Sequence, residues 1–283
     1  MENVLITGSD GFIGSYLSKA LSQSKKYKIK KINRSYGDIT KNSTWKKFPS
    51  CKAVIHLAGK NFVPQSWNKT KDFFEVNVKG TIQALNYCKN KKARLIFIST
   101  YIYGNTKKIP ISEKGKVIPT NPYNLSKKIA EDICKLYSIL YGVKIIILRP
   151  FNVYGIGQND KFLIPSIVKQ INNNKIIKVK DLKPKRDFVY VKDLVNAIIK
   201  TLSLNKSYDV INIGSGISYS VLSVIQTIKK ITNKKLQIKS YKKRRHDEVF
   251  DTRANINKAK NILKWKPRWS FEKGIIDSYG NKK

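Results

Sequence analysis

Three glycines at steps of three residues constrain this chain more than any other feature of its sequence. Between an apolar run over residues 3–7 and a helical pattern over residues 16–21 stand Gly8, Gly11 and Gly14. Because glycine has no Cβ atom, the backbone there can turn sharply, approach a phosphate group and let the helix pack closely on the strand. The pattern predicts a parallel α/β sheet whose first helix points its amino end at a diphosphate.

The end of the predicted second strand, over residues 27–32, bears on the choice of dinucleotide. A carboxylate at this place binds the ribose hydroxyls of NAD and repels the 2′-phosphate of NADP. The sequence has an amide, Asn33, and a guanidinium, Arg34, instead. This favours NADP. Asp38 and Ile39 follow closely, and we expect them to cover the adenine.

Two later segments bring small or polar side chains to the same edge of the sheet. The predicted third strand ends in Leu57, Ala58 and Gly59, where a dinucleotide can lie against the backbone. Asn77 is near the middle of the next predicted helix, over residues 72–90. His56 lies inside an apolar run, so we interpret it as a packed core residue.

The segment from Asn121 to Lys127 is suited to proton transfer. Asn121 can cap a helix and Pro122 fits its first turn, so the pattern predicts a helix over residues 123–137. Tyr123 and Lys127 then lie one turn apart on one face. An ammonium within ~6 Å favours a phenolate, so we expect Lys127 to lower the pKa of Tyr123 from its usual ~10. The expected buried side of this helix contains Ile129, Ile133 and Leu136.

Composition predicts a cytoplasmic globular protein. The chain has 283 residues, 41% of them hydrophobic, which is enough for a sizeable core. No apolar run approaches the ~20 residues of a membrane helix, and the amino terminus lacks a signal-peptide pattern. The three cysteines are widely spaced, which predicts reduced thiols and no metal site.

The formal net charge of +39 is the least usual property of the composition. A clustered basic surface would indicate nucleic-acid binding. Only eight of the 57 basic residues are Arg, however, and the lysines are spread along nearly every segment. We interpret the charge as a compositional bias that attracts nucleotide diphosphates, and we expect no specific nucleic-acid partner.

These motifs together resemble one known family. The glycine triplet, Ser99-Thr100 after the fourth strand and Tyr123-x-x-x-Lys127 are similar to those of the extended short-chain dehydrogenase/reductase superfamily. The similarity is greatest to its NAD(P)-dependent nucleotide-sugar epimerases, dehydratases and reductases. Later segments extend the resemblance over almost the whole chain, and they are residues 148–155, 186–193, 212–216 and 255–267.

The resemblance implies an α/β fold with a Rossmann-type doubly wound parallel sheet and a smaller, interleaved substrate-binding domain. We predict the NAD(P)-binding Rossmann domain over residues 1–155, rejoined by about residues 210–228. The substrate-binding region then covers residues 156–209 and 229–283, and the site lies between the two. Family members commonly pair through the helix that carries the tyrosine, which implies a homodimer.

The resemblance also implies catalytic roles. In the family, the tyrosine that matches Tyr123 is the acid/base, and the lysine that matches Lys127 holds the nicotinamide ribose and lowers the tyrosine pKa. A hydroxyl on the fourth strand contacts the same substrate oxygen. Its place after Ser99 selects Thr100, whereas counting back from Gly104 selects Ser99. We prefer Thr100 and keep both.

Further residues resemble the family's ligand contacts. Asn152 matches the residue that contacts the sugar or diphosphate, and Arg186 with Arg244 or Arg245 matches a diphosphate clamp, for which forked guanidinium donors are suited. The expected substrate is a nucleoside-diphosphate sugar, and the cofactor is NADP or NAD. The predicted cofactor contacts are Gly8, Gly11, Phe12, Ile13, Gly14, Asn33, Arg34, Asp38, Ile39, Leu57, Ala58, Gly59, Asn77, Tyr123 and Lys127.

The residue at position 101 disfavours dehydration as the net reaction, and epimerisation and reduction remain. The family's 4,6-dehydratases generally carry an acidic residue after the strand-four threonine, where this chain has Tyr101, so we rank dehydration last. A 4-epimerase keeps NAD bound and returns the hydride to the opposite face of a 4-keto sugar. A 4-ketoreductase takes its hydride from exchangeable NADPH.

Asn33 and Arg34 favour reduction of a 4-keto-6-deoxy sugar, our preferred prediction, whereas the general likeness of the second half favours the epimerase. A catalytically silent binding protein with the same fold is the third hypothesis. Intact Tyr123, Lys127 and Thr100 argue against it.

Overall fold

The computed structural model describes residues 1–106, 108–173, 176–243 and 248–280. Its strands are β1 (Glu2–Thr7), β2 (Tyr27–Ile32), β3 (Ala53–His56), β4 (Arg94–Ile98), β5 (Ile145–Pro150), β6 (Asn152–Tyr154), β7 (Ile176–Val179), β8 (Lys185–Tyr190), β9 (Tyr208–Ile213), β10 (Ser218–Ser220), β11 (Gln237–Ser240) and β12 (Asp251–Thr252). Its helices are α1 (Phe12–Ser22), α2 (Asn42–Lys46), α3 (Val63–Asn68), α4 (Thr70–Phe74), α5 (Gly80–Lys91), α6 (Pro122–Tyr141), α7 (Leu163–Asn173), α8 (Val191–Thr201), α9 (Val221–Ile231), α10 (Asn257–Leu263) and α11 (Phe271–Tyr279). Within the described ranges, none of these helices is long and apolar enough to cross a membrane.

A six-stranded parallel sheet forms the centre of the fold, in the order β2-β1-β3-β4-β5-β9. Its register places Val4 of β1 opposite Ala53 of β3. Strands β3 and β5 are buried along their whole length, and helices cover both faces of the sheet, which explains why these strands are mainly apolar. The predicted Rossmann-type doubly wound sheet is confirmed.

The two faces of this sheet carry separate apolar cores. On one face, Val4 and Ile6 of β1 share a core with Leu17 of α1 and Ile198 of α8. On the other face, Leu5 belongs to a core that includes residues of α5 and α6. Successive side chains of a strand point to opposite faces, so the apolar run of β1 supplies both cores.

A smaller mixed sheet completes the fold. It contains β10, β8 and β12 in that order, and β6 pairs with β8. Helices α7, α9 and α11 contribute to its apolar core, which includes Tyr154, Phe188 and Phe271. Because β9 returns to the large sheet after β6 to β8, the two parts interleave, as predicted. The division at residues 1–155 with about 210–228 stays a prediction.

Helix α6 is longer than predicted and is oriented differently. Its amino end forms as expected, since the Asn121 side chain accepts a hydrogen bond of 2.9 Å from the Asn124 amide. The prediction that Ile129, Ile133 and Leu136 form the buried side was wrong, because Leu136 is exposed and the other two are only partly buried. The buried stripe consists of smaller or functional side chains, namely Tyr123, Ser126, Lys127, Ala130, Glu131 and Cys134.

Candidate active site

The glycine loop between β1 and α1 has no room for side chains at two of its positions. Gly8 has a φ of +68°, and a Cβ atom there would lie 2.9 Å from the amide nitrogen of Ala58. A Cβ atom on Gly14 would lie 2.1 Å from the Gly8 carbonyl oxygen. The loop thus follows the path that only glycine permits, and it holds α1 against the end of β1.

The amino end of α1 is suited to an anion. Its capping residue is Gly11, and among the described residues no side chain caps it. By contrast, Asn121, Ser220 and Ser270 cap α6, α9 and α11 with their side chains. The first amides of a helix lack intrahelical acceptors, so those at Phe12 and Ile13 are available to a diphosphate, whereas the Gly11 amide donates to the Gly8 carbonyl at 3.1 Å. This end of the crevice fits a dinucleotide.

The end of β2 carries a carboxylate after all, supplied by a different segment. Asp10 of the glycine loop accepts a hydrogen bond of 2.5 Å from the Asn33 side-chain amide. The Asn33 side-chain oxygen in turn accepts from the amide of Tyr36 at 3.1 Å, while Arg34 is exposed. Sequence analysis missed Asp10 because the ribose carboxylate was sought only on β2.

The two residues predicted to cover the adenine are held in place locally. The Asp38 carboxylate accepts a hydrogen bond of 2.9 Å from the Thr40 amide, which holds the pKa of Asp38 below its usual value. Ile39 lies against α5, where a Cβ atom on Gly80 would come within 2.7 Å of its side chain. Both residues lie in the segment that follows β2, and their contact with the adenine stays a prediction.

The end of β3 is tied to its neighbours by polar side chains. The Thr7 hydroxyl accepts a hydrogen bond of 3.2 Å from the Ala58 amide and makes a second bond of 2.8 Å with Nδ1 of His56. Full burial lowers the pKa of His56 to about 3, so its ring is neutral. His56 is a core residue, as predicted. Beyond it, Leu57 and Ala58 are partly buried and Gly59 is exposed.

Asn77 connects the loop after β3 to the helix that carries the tyrosine. Its side-chain oxygen accepts from the Lys60 amide at 2.8 Å, and its Nδ2 donates to the Ser126 hydroxyl at 2.9 Å. A Cβ atom on Gly59 would lie 2.9 Å from Asn77 Oδ1 and 3.8 Å from Lys127 Nζ. Asn77 lies in a π-helical turn, Glu75–Lys79, and such turns are frequent at functional sites.

Tyr123 and Thr100 meet at the carboxyl edge of the sheet. Tyr123 is buried, and burial raises its pKa to about 12 because it disfavours the phenolate, while the polar Thr100 side chain acts to lower the pKa. The expected lowering of the Tyr123 pKa by Lys127 is not what the structure shows. The Ser99 hydroxyl is buried and has no hydrogen-bond partner among the described residues.

Lys127 lies one turn below Tyr123 and is also buried. Its ammonium donates a hydrogen bond of 2.7 Å to the Ile98 carbonyl and lies 4.5 Å from the centre of the Phe97 ring. Burial lowers its pKa to about 8, and the nearby Glu131 carboxylate acts to raise it. Near neutral pH, therefore, Tyr123 is a phenol and Lys127 is mostly an ammonium.

The predicted substrate contacts are only partly within the described residues. The Asn152 side chain donates a hydrogen bond of 3.1 Å to the Asp187 carbonyl. Arg186 pairs with the Glu248 carboxylate and donates a hydrogen bond of 2.6 Å to the Val249 carbonyl. Arg244 and Arg245 lie outside the described residues. Among those that are described, no group of three or more His, Cys, Asp or Glu side chains could hold a metal ion.

A buried cluster under the site was missed by sequence analysis. Arg149 of β5 donates from Nε to Glu131 at 3.0 Å and from Nη1 to the Tyr103 hydroxyl at 2.8 Å. The Tyr103 hydroxyl donates onward to Asn212 of β9 at 2.6 Å. We call these four residues the Arg149 cluster. One signal was available, because an arginine in an apolar buried strand requires a buried partner.

Comparison with known proteins agrees with this geometry. A family model described as NAD dependent epimerase/dehydratase family matches residues 4–214. GDP-6-deoxy-D-mannose reductase of Pseudomonas aeruginosa is 28% identical over 97% of this chain and 95% of its own length.

Two solved structures are similar over nearly the whole fold. RMD from Pseudomonas aeruginosa complexed with NADPH has a TM-score of 0.91 and 27% identity, covering 99% of this chain and 97% of that chain. UDP-glucuronic acid 4-epimerase from Bacillus cereus, in complex with UDP-glucuronic acid and NAD, has a TM-score of 0.90 and 29% identity, covering 98% of each chain. The chain described here belongs to the NAD-dependent epimerase/dehydratase family of nucleotide-sugar-modifying enzymes, whose members use NAD or NADP.

Proposed function

We propose that this enzyme is a 4-ketoreductase that acts on a nucleoside-diphosphate 4-keto-6-deoxyhexose. The observation that carries the proposal is the burial of Tyr123 at the carboxyl edge of the sheet, because burial disfavours the phenolate, raises the pKa to about 12 and keeps the side chain a proton donor at neutral pH. Reduction of a ketone requires a proton for the new alkoxide, whereas oxidation of an alcohol requires a base. A buried phenol in this state is therefore prepared for the reductive direction.

Each residue of the crevice then has a defined task. The dinucleotide, when bound, supplies the hydride that reaches carbon 4. Tyr123 passes its proton to the 4-oxygen, and the Thr100 hydroxyl donates a hydrogen bond to that same oxygen. Lys127 holds its ammonium at the Ile98 carbonyl, beside Gly59, where it can bind the nicotinamide ribose and attract negative charge that develops on Tyr123.

The activity named for a relative and the residue at position 101 support reduction over dehydration. The P. aeruginosa relative is named as a reductase of a GDP-linked 6-deoxy sugar. Tyr101, at the position where dehydratases of the family carry an acid, stacks on Phe151 with ring centres 5.5 Å apart. This chain therefore has no carboxyl group at the position where dehydratases carry their acid.

The test is to incubate the purified protein with NADPH and with GDP- or UDP-linked 4-keto-6-deoxyhexoses, and to follow the absorbance of the reduced nicotinamide. We expect stoichiometric consumption of NADPH with at least one of these sugars. Absence of consumption, together with NAD that copurifies with the protein and interconverts hexose isomers, would overturn the reductase proposal.

A 4-epimerase is the second candidate function. It is supported by the similarity to the B. cereus 4-epimerase. That enzyme is 29% identical to this chain, whereas the P. aeruginosa protein in complex with NADPH is 27% identical. The same crevice would serve, but Tyr123 would first have to act as a base. Epimerisation of UDP-glucose or UDP-glucuronic acid without added cofactor distinguishes this function from the reductase.

The cofactor preference follows from opposing charges at the end of β2. Arg34 favours a 2′-phosphate, and the Asp10 carboxylate, held on Asn33, opposes it and can accept hydrogen bonds from unphosphorylated ribose hydroxyls. We therefore propose that the enzyme binds both NADPH and NADH, and that Asp10 limits its affinity for NADPH.

We further propose that Asn152, Arg186 and one or both of Arg244 and Arg245 contact the sugar diphosphate. Arg186 is largely buried and already bound to a carboxylate, that of Glu248. A diphosphate would take the place of this carboxylate, because both offer oxygens to the same guanidinium fork.

We also propose a homodimer that forms through the outer face of α6. Large apolar side chains lie exposed along this face, and Ile139 is the most exposed of them, at 69%. An unpartnered apolar stripe of this kind on a folded domain indicates a protein contact, and a two-fold contact between copies requires no other partner. The exposed members of the stripe are Leu125, Leu136, Ile139 and Leu140.

A further inference from the structure

We propose that Arg149 and Tyr103 are positioning residues that set how closely the Thr100 hydroxyl approaches the Tyr123 phenol. Neither side chain was assigned a role by the sequence motifs, and neither touches the reacting atoms. The proposal rests on the proposed function of Tyr123 and Thr100 as the groups that contact the 4-oxygen.

The contacts on the helix side connect Arg149 to the tyrosine. Tyr123, Lys127 and Glu131 follow one another at intervals of four residues, so they lie along one face of α6. The Glu131 carboxylate accepts from Arg149 at two nitrogens, Nε at 3.0 Å and Nη2 at 2.5 Å. This paired geometry fixes both the distance and the orientation of α6 relative to β5.

The contacts on the loop side connect the same arginine to the threonine. Nη1 of Arg149 donates to the Tyr103 hydroxyl at 2.8 Å, and Tyr103 stands three residues after Thr100. Arg149 therefore connects the loop that carries Thr100 to the helix that carries Tyr123. The connection runs through Tyr103, the guanidinium, the Glu131 carboxylate and α6, so the position of the Thr100 segment relative to Tyr123 depends on Arg149.

Burial makes the contacts of the Arg149 cluster rigid. Arg149 and Glu131 are 6% and 3% exposed, and Tyr103 and Asn212 are fully buried. A buried charge that loses its partner is strongly disfavoured, so the guanidinium cannot easily release either contact. The onward bond from Tyr103 to Asn212 at 2.6 Å also fixes the tyrosine to β9.

A purely structural role predicts a loss of stability without a specific effect on chemistry. The positioning role predicts that removal of the Tyr103 hydroxyl acts through the Thr100–Tyr123 contact. The Tyr103→Phe variant separates these two outcomes, because it removes the hydroxyl oxygen and keeps the aromatic ring of the side chain. We expect its kcat to fall by about tenfold, because small displacements of reacting groups slow catalysis strongly. The KM for the sugar and the Kd for NADPH should stay within about twofold, since the cluster does not touch either ligand.

A double-mutant cycle tests whether the effect passes through Thr100. In a Thr100→Val background we expect Tyr103→Phe to cause no further loss of kcat, because the contact it adjusts is already gone. A further loss of the same size in that background would contradict the proposal. Arg149→Lys is the second variant. We expect it to lower kcat at least as much, since an ammonium cannot make the contacts to both Tyr103 and Glu131 that the guanidinium makes.

The matched control is Tyr87→Phe. Tyr87 of α5 is also buried, and its hydroxyl also donates a hydrogen bond, here to the Pro49 carbonyl. We expect both variants to lower the melting temperature, but only Tyr103→Phe to lower kcat. Equal kcat values for the two variants would overturn the proposal.

A spectroscopic measurement tests the geometry without turnover. In protein labelled with 3-fluorotyrosine, the ¹⁹F resonance of Tyr123 is assigned by its loss in Tyr123→Phe. We expect this resonance to move in Tyr103→Phe and to stay in place in Tyr87→Phe. An unmoved resonance would exclude the positioning role whatever substrate the enzyme uses, whereas failure of the proposed function would be seen only as absent reduction by the wild-type protein.

Discussion

At the scale of single residues, Tyr123 and Lys127 both have pKa values displaced towards the uncharged form. The pKa of Tyr123 rises to about 12 and that of Lys127 falls to about 8, in each case chiefly because of burial. The phenol is thereby kept as a proton donor. The lysine is different, because its charged form, which we propose binds the nicotinamide ribose, is held in the core at the expense of stability.

We predict that Lys127→Met raises the free energy of unfolding at about pH 7 by about 1–2 kcal/mol and lowers kcat by about 100-fold. The folded pKa of Lys127 lies below its unfolded value of 10.5. Between about pH 8 and the unfolded value, the unfolded chain therefore binds the extra proton, and wild-type stability rises with pH. The advantage of the variant should shrink as the pH rises through this window. Urea unfolding at about pH 7 and about pH 10 measures both values.

Lys128→Met is the control for this prediction. Lys128 is the next residue of the same helix, and it forms an ion pair of 2.5 Å with the well-exposed Asp132. Because exposed pairs contribute little, we expect neither a gain in stability nor a loss of turnover. If Lys127→Met is no more stable than the wild type, burial of the Lys127 ammonium does not destabilise the fold, which would contradict the prediction.

The second residue-scale prediction concerns Asp10. We predict that Asp10→Asn tightens NADPH binding by about tenfold and leaves NADH binding within a few fold, because it removes the charge that opposes a 2′-phosphate. Titration of tryptophan fluorescence with each dinucleotide measures the two Kd values. Equal changes for both cofactors would mean that Asp10 does not face the ribose.

Sequence motifs predicted individual site residues but not the atoms that surround them. The spacing of Tyr123 and Lys127 put both on one face of α6, and the structure shows that this face is the buried one. It could not give the direction of the Tyr123 pKa shift, because burial depends on the sheet beneath. Asp10 was missed for a related reason, since only the folded loop brings it to Asn33.

At the scale of elements, α6 has two faces of opposite character. Its inner face carries the ionisable stripe of Tyr123, Lys127 and Glu131, and its outer face exposes aliphatic side chains. Periodicity predicted that the large aliphatic residues would be buried, because it measures apolar character and not the partner that covers it. Helix α6 reverses the usual pattern, because it packs polar residues against the sheet and exposes large apolar residues.

We predict that Ile139→Lys converts a dimer into a folded monomer, because it places a charge in the apolar stripe on α6. Size-exclusion chromatography with light scattering gives the mass, and circular dichroism reports the fold. Ile276→Lys is the control, since Ile276 of α11 is also exposed, at 55%, but lies on a different helix. A monomeric wild-type protein would contradict the homodimer.

Other elements were predicted in type but not in detail. The helix expected over residues 72–90 is present, but it is divided into α4, a π-helical turn and α5. The turn places Asn77 where it reaches both Lys60 and Ser126. Its extra backbone residue has no signature in apolar spacing, so sequence alone could not locate it.

At the scale of the whole molecule, Asp187 connects the smaller sheet to the larger one. This carboxylate of β8 is fully buried and accepts hydrogen bonds from the amides of Ser215, Gly216 and Ala254 at 2.6–3.0 Å. The first two residues follow β9 of the large sheet. Asp187 therefore joins segments that are distant in sequence at the boundary of the two parts.

We predict that Asp187→Asn lowers the free energy of unfolding by about 2–4 kcal/mol, because one side-chain oxygen becomes a donor that faces backbone donors. Chemical unfolding measures the loss. Asp181→Asn is the control, since among the described residues Asp181 accepts one hydrogen bond, from the Lys183 amide, at an exposed position. Similar stabilities of the two variants would contradict the role of Asp187 as the connection.

The order of motifs along the chain was sufficient to predict the family, the doubly wound sheet and the interleaving of the smaller part. Several motifs, among them the glycine triplet and Ser99-Thr100, follow the end of a strand, and parallel strands bring their carboxyl ends to one edge. Contacts such as those of Arg149 depend on three elements at once, so no local pattern could specify them.

Transfer of label from deuterated NADPH is the most direct test that Tyr123, Thr100 and Lys127 serve hydride transfer to carbon 4 of a nucleotide sugar. The nicotinamide carries deuterium at its transferable position, and the sugar product is examined by NMR. We predict that deuterium appears at carbon 4 of the hexose, and that Tyr123→Phe reduces the rate of its appearance by at least about 100-fold. Deuterium at another carbon, or an unchanged rate in Tyr123→Phe, would contradict this assignment.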